Sequence, residues 1–223
     1  MATLPIRAVK VGKIIDKTLG VIERAAVPAL IFVVVLTALS VPITYFTVGS
    51  TSPSRLVGGE FLKSAIGMVC GYFLLVEMLR RTGLYSRTDG DAFLPYLGLT
   101  ILSTLGVMLG VIALILPGIF IMARWSMAQP LLVAGGRGVT EALGESWDRT
   151  RGLEFQIIGA ALALLLLPIA IGIGSSVLFE QDDPVRMVVA QLASSASGVI
   201  FMAMGVALYG MIVGVAEAAT APA

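Results

Sequence analysis

Apolar residues run along this chain in six long blocks, separated by short stretches where charges, prolines and glycines collect. Crossing about 30 Å of hydrocarbon takes roughly 20 apolar residues in a helix. Blocks of that order fall near 26–47, 57–79, 93–116, 118–134, 154–178 and 184–215. Six such blocks leave no polar faces with which soluble helices would meet water. The pattern therefore predicts an all-α polytopic membrane protein built as a single membrane domain, residues 1–223. Two blocks open with a cap followed by proline, Ser52-Pro53 and Asp183-Pro184. Proline suits that place because the first-turn N–H has no helical partner in any case. The fourth block is short, follows Pro117-Gly118 and carries Arg124.

Two further segments are amphipathic instead of continuously apolar. Within 6–24, helical spacing gathers Ala8, Val11, Ile15, Leu19 and Ile22 on one face and Lys10, Lys13, Lys17 and Arg24 on the other. An apolar face opposite a basic stripe is the pattern of a helix lying in the headgroup layer. A solvated helix packed on its own protein has the same pattern. Within 139–151, Thr140 is the expected N-cap and Glu141 suits the positive helix end. Val139, Ala142, Leu143, Ser146 and Trp147 line one side, while Glu145 and Arg149 form a favourable i,i+4 pair on the other. This helix is expected to support the fifth span from the membrane surface. A common offset superposes Gly12 on Gly138 and Pro42 on Pro168, a weak sign of a parallel repeat flanking the span three–four hairpin.

Composition sharpens the class. The chain is 57% hydrophobic and 13% charged, with mean hydropathy +0.97. Soluble domains sit near roughly 45–50% apolar and about 25% charged. A net charge of +1 gives no electrostatic case for nucleic acid as a partner. Histidine is absent, which removes the commonest general base and the commonest nitrogen metal ligand. The single Cys70 allows no disulfide within the chain and reads as a small buried hydrophobe. No catalytic set, cofactor site or metal site is expected from the remaining residues. The run Gly135-Gly136-Arg137-Gly138 lacks the strand and helix of a phosphate loop and reads as the turn after span four.

Lysine and arginine near span ends set the expected orientation. Arg7, Lys10, Lys13, Lys17, Arg24, Arg80, Arg81, Arg87, Arg137, Arg149 and Arg151 share one side, against Arg55, Lys63 and Arg186 on the other. The excess predicts cytoplasmic N- and C-termini. Gly67 and Gly71, Gly106 and Gly110, and Gly210 and Gly214 lie at four-residue spacing, as internal packing seams do.

Charge inside hydrocarbon costs about 2.5–3.5 kcal/mol on insertion scales, so Arg124 needs a partner. Glu60 on the same membrane side, the carbonyls of a broken helix and a lipid phosphate are the three candidates. Glu77 is satisfied by Arg80 or Arg81 one turn on, and Lys63 follows Glu60 by three and snorkels. Gln129, Gln156 and Gln191 are candidates for hydrogen bonds between helices.

A Pro-Gly break, an arginine in the next span, and a Glu-Ala-Leu then Ser-Trp run ending at glycine also occur together. Here these are Pro117-Gly118, Arg124, Glu141-Ala142-Leu143, Ser146-Trp147 and Gly152. The set resembles bacterial inner-membrane proteins grouped with the glycerophosphoryl diester phosphodiesterase membrane domain and the YciC-like family. It covers some of the chain's middle, with six-span topology extending the likeness loosely. The resemblance implies the membrane architecture and no phosphodiesterase activity, since the soluble barrel has no counterpart here. Arg149-Thr150-Arg151 and Glu154-Phe155 depart from that family's usual hydrophobic and aromatic residues.

The expected function is a non-enzymatic, bacterial inner-membrane role in lipid or envelope homeostasis, with membrane phospholipids as partners. Arg124, Glu60 and the basic face Lys10, Lys13, Lys17 and Arg24 are its candidate contacts. An accessory or assembly subunit of a larger membrane complex is the second reading. A transporter is third, because Glu60 and Glu77 lie near span ends.

Overall fold

The structure is a computed structural model that describes residues 9–86 and 92–214. It is all-α, with no strand among the described residues. In order, α1 is Val11–Arg24, α2 Ala26–Thr47, α3 Pro53–Arg81, α4 Phe93–Ala113 and α5 Ile115–Arg124. They are followed by α6 Ala128–Val133, α7 Val139–Arg149, α8 Glu154–Leu178 and α9 Pro184–Tyr209, with a π-helical turn over Gly210–Gly214. Among the described residues, six helical stretches are long and apolar enough to cross a membrane, and the chain is a multi-pass membrane protein. Pro53 and Pro184 open α3 and α9 as first-turn prolines. Asp183 caps α9 by accepting the Val185 N–H at 2.7 Å. The predicted positions Arg7, Ala8 and Arg87 lie outside the described residues.

The fourth block departs from its expected form. It is two helices, α5 and α6, broken at Trp125–Met127. At about 1.5 Å per residue, the ten residues of α5 cannot cross a bilayer alone. Irregular backbone at such a place needs burial in protein, and Ser126 and Met127 are buried. The hairpin into α5 is closed by glycine: a Cβ on Gly118 would strike Val111, and Gly110 packs against the Gly118 backbone. Trp125 fills the notch at Gly106, so this glycine pair is an internal seam.

The centre of the bundle is the C-terminal half of α9. Ala203 to Tyr209 are buried without interruption, the pattern of a helix surrounded on all sides. It packs on α1, α2, α3, α6 and α8. Close approach again rests on glycine, since a Cβ on Gly205 would lie 2.5 Å from the Ser126 carbonyl oxygen.

Packing is concentrated at one end of the bundle. In α2 the buried residues are Ala29, Phe32, Leu36 and Ser40, and in α3 they begin only at Gly71. That end also carries α1, which packs on α9 and α8. At the other end Tyr45, Phe46, Phe61, Leu62 and Val185 are exposed, as side chains facing lipid are.

Candidate functional site

Arg124 ends α5 exactly where the chain stops being helical, so its carbonyl has no helical partner. Two hydroxyls from α7 and its C-terminal turn fill that need: Ser146 Oγ donates to the Arg124 carbonyl at 2.7 Å and Thr150 Oγ1 at 3.1 Å. The arginine returns the contact. Its Nη1 donates to the Trp147 carbonyl at 2.8 Å, one of the last carbonyls of α7. Each helix C-terminus is therefore capped by the other, with the cation at the negative end of both dipoles.

The charge is balanced by Glu154, the first residue of α8. Arg124 Nη2 lies 2.9 Å from Glu154 Oε1, and their side chains are only 8% and 12% exposed. The guanidinium also lies 5.0 Å from the Trp147 ring centre and 5.3 Å from that of Phe120, within cation–π range. Gly152, at φ +83°, makes the turn that brings Glu154 back under α5. A residue with a side chain would strain this left-handed turn.

Of the three candidate partners for Arg124, Glu60 does not pair with it. Glu60 is 73% exposed and binds Lys63 at 2.7 Å within α3. Arg124 instead reaches the surface helix α7 and the start of α8, which the break after α5 brings beside it. Of the partners considered for Arg124, carbonyls at a helix end are part of the answer, and the carboxylate comes from a residue read in the sequence only as a departure from a motif. The signal was available: Glu154 is the acidic residue that opens an apolar span on the side where α5 ends.

The motif residues acquire structural roles. Pro117 and Gly118 are not the break expected of them: the chain breaks at Leu114, and both lie inside α5, where Gly118 packs on α4. Ser146 and Trp147 hold Arg124, and Gly152 turns the chain. Glu141 Oε2 accepts the Gly138 N–H at 3.3 Å. Gly138, and not Thr140, is thus the N-cap of α7: the N3 glutamate reaches back to the N-cap N–H, the half of a capping box that needs no side chain on the cap residue. Outside this junction, Arg137 and Arg149 both bind Glu145, at 2.7 and 2.6 Å. Glu77 binds Arg81 at 2.7 Å. Gln191 donates to Ser195 in its own helix at 3.1 Å, not to a neighbouring one. Cys70 is a half-buried free thiol packed against the core.

On α1 the buried face is rotated from the predicted one. Ile14, Thr18 and Val21 are buried, Val11, Ile15 and Ile22 flank them, and Leu19 is half exposed. The helix touches α8 and α9 together, and the two-sided seat recentres the stripe. Thr18 is tolerated there because its hydroxyl donates to the Ile14 carbonyl at 2.8 Å. Lys10, Lys13, Lys17 and Arg24 all point outward and form no ion pair among the described residues.

No family model, curated protein or solved structure matches the chain.

Proposed function

We propose that this chain is a non-catalytic bacterial inner-membrane protein that binds anionic phospholipid and serves lipid or envelope homeostasis. The observation that carries the reading is the outer face of α1. Four cations stand exposed on α1 and its N-cap, opposite the face anchored to the bundle, and none of them forms an ion pair among the described residues. Each basic residue close to an anionic membrane surface contributes about 1 kcal/mol. Arg124 is assigned to holding the fold together, since its charge is spent on Glu154 and the Trp147 carbonyl.

Deleting the gene should shift phospholipid composition or envelope permeability. The wild-type gene should restore both, and a version with Lys10, Lys13, Lys17 and Arg24 changed to glutamine should not. Full rescue by the neutralised version would remove the basis of the reading. The second reading, a subunit of a larger membrane complex, is favoured by Gly67, whose outward side meets open space while Gly71 is filled by Tyr96 and Met202. Stoichiometric co-purification of a second membrane protein, lost on Gly67→Leu, would support it. Ion-coupled transport has less to stand on, because Glu60, Glu77 and Glu154 are each engaged by a cation.

A further inference from the structure

At the end of the bundle away from α1, the helices part. Between α2, α3 and α9 lies a cleft of about 300 Å³ lined by Thr44, Lys63, Gln181, Arg186 and Gln191. Two cations line it, and among the described residues no carboxylate does. Lys63 is 80% covered, anchored by Thr44 Oγ1 at 3.3 Å and by the exposed Glu60 on its outer side at 2.7 Å. Arg186 forms no ion pair or hydrogen bond among the described residues, and its Nε is buried without a partner. A partly buried guanidinium with an unmet N–H is costly unless something charged meets it.

We infer that this cleft binds a phosphate-ester anion, with Arg186 supplying the fork, Lys63 the second positive charge and Gln181 and Gln191 neutral hydrogen bonds. The planar guanidinium matches phosphate oxygens two at a time, while the ammonium acts as a point charge. The source of the ester is a lipid headgroup. The elements that form the cleft carry exposed Tyr45, Phe61, Leu62 and Val185, apolar surface suited to acyl chains. This deepens the lipid-binding reading and rests on it, but the cleft lies on the opposite side of the bundle from the α1 cations. Snorkelling alone explains two long cations near helix ends, but it creates no preference for one ligand.

The test uses the full chain in an uncharged detergent, titrated with phosphatidylglycerol, phosphatidylcholine or inorganic phosphate and read by native mass spectrometry. Wild type should show a one-to-one phosphatidylglycerol adduct, preferred over phosphatidylcholine. Arg186→Gln should weaken it about tenfold, as loss of one charge-assisted contact does. Lys63→Gln and Gln191→Ala should weaken it less, and they keep the question answerable if Arg186→Gln does not fold. Neutralising the four α1 cations should leave this adduct unchanged. Equal binding of both lipids, or an adduct unaffected by all three cleft variants, would overturn the site. Displacement by equimolar inorganic phosphate would overturn the lipid source. Loss of the adduct only on neutralising α1 would assign lipid binding to the surface helix, so failure of the cleft and failure of the α1 reading are told apart.

Discussion

At the scale of single residues, the most consequential polar group is Arg124. It holds three elements at once: the end of α5, the last carbonyls of α7 and the start of α8. Removing one member of a buried pair strands the other, at a cost of about 3–5 kcal/mol. Arg124→Leu and Glu154→Leu should therefore each lower the thermal midpoint sharply in detergent. The double change to leucine should recover much of the loss, because apolar residues replace a buried ion pair at little cost. Arg124→Lys should fold with intermediate stability, since lysine keeps the charge but cannot bond the Trp147 carbonyl and Glu154 with one rigid fork. Glu60→Gln should change little: Glu60 is itself 73% exposed, and an ion pair with a solvated member contributes little. A Glu60→Gln phenotype as severe as Arg124→Leu would contradict the assignment of the ion pair.

Between elements, contact distance is set by glycine. In lipid the hydrophobic effect does not press helices together, so small residues that let backbones approach supply the attraction. Gly205 sits against the backbone of the α5–α6 break, with the Ser126 carbonyl in the place a methyl group would take. Backbone cannot swing aside as a flexible side chain can. Gly205→Ala should cost about 1–3 kcal/mol, the usual range for an overpacked core, measured as a fall in midpoint. Gly67→Ala, into open space, should be neutral or slightly stabilising, since alanine is the better helix former. Equal effects at the two positions would mean that the α6–α9 contact does not limit stability.

For the whole molecule, the arrangement is polar in the sense of having two unlike ends. The α1 end is tightly packed around α9, and the other end opens into lipid-facing helices with a cationic cleft. With Lys and Arg in excess beside α1 and α7, we expect that packed end to face the cytoplasm. Reporter fusions after residues 51 and 181 should then score external, and fusions after 137 and 223 cytoplasmic. A cytoplasmic signal at 181 would break the α8–α9 hairpin assignment.

What the sequence determines here is what depends on one helix at a time. The bounds of α2 and α8 coincide with the predicted spans, and α3 and α9 begin at their prolines, because length, hydropathy and cap chemistry are local. The Glu77–Arg81 and Glu145–Arg149 pairs were legible for the same reason: one turn of helix brings them together. The weak repeat is legible only as element order, an amphipathic helix before a hairpin in α1–α3 and again in α7–α9. Tertiary structure alone decided the rest. Hydropathy reads a buried break as readily as a continuous span, so the interruption after Arg124 left no trace in the apolar count. Where the helix breaks, Glu154, 30 residues along, comes within 2.9 Å of the guanidinium. Which glutamate meets that arginine, which face of α1 is covered, and that Lys63 and Arg186 share one cleft all depend on distances between helices, and no periodicity within a helix encodes them.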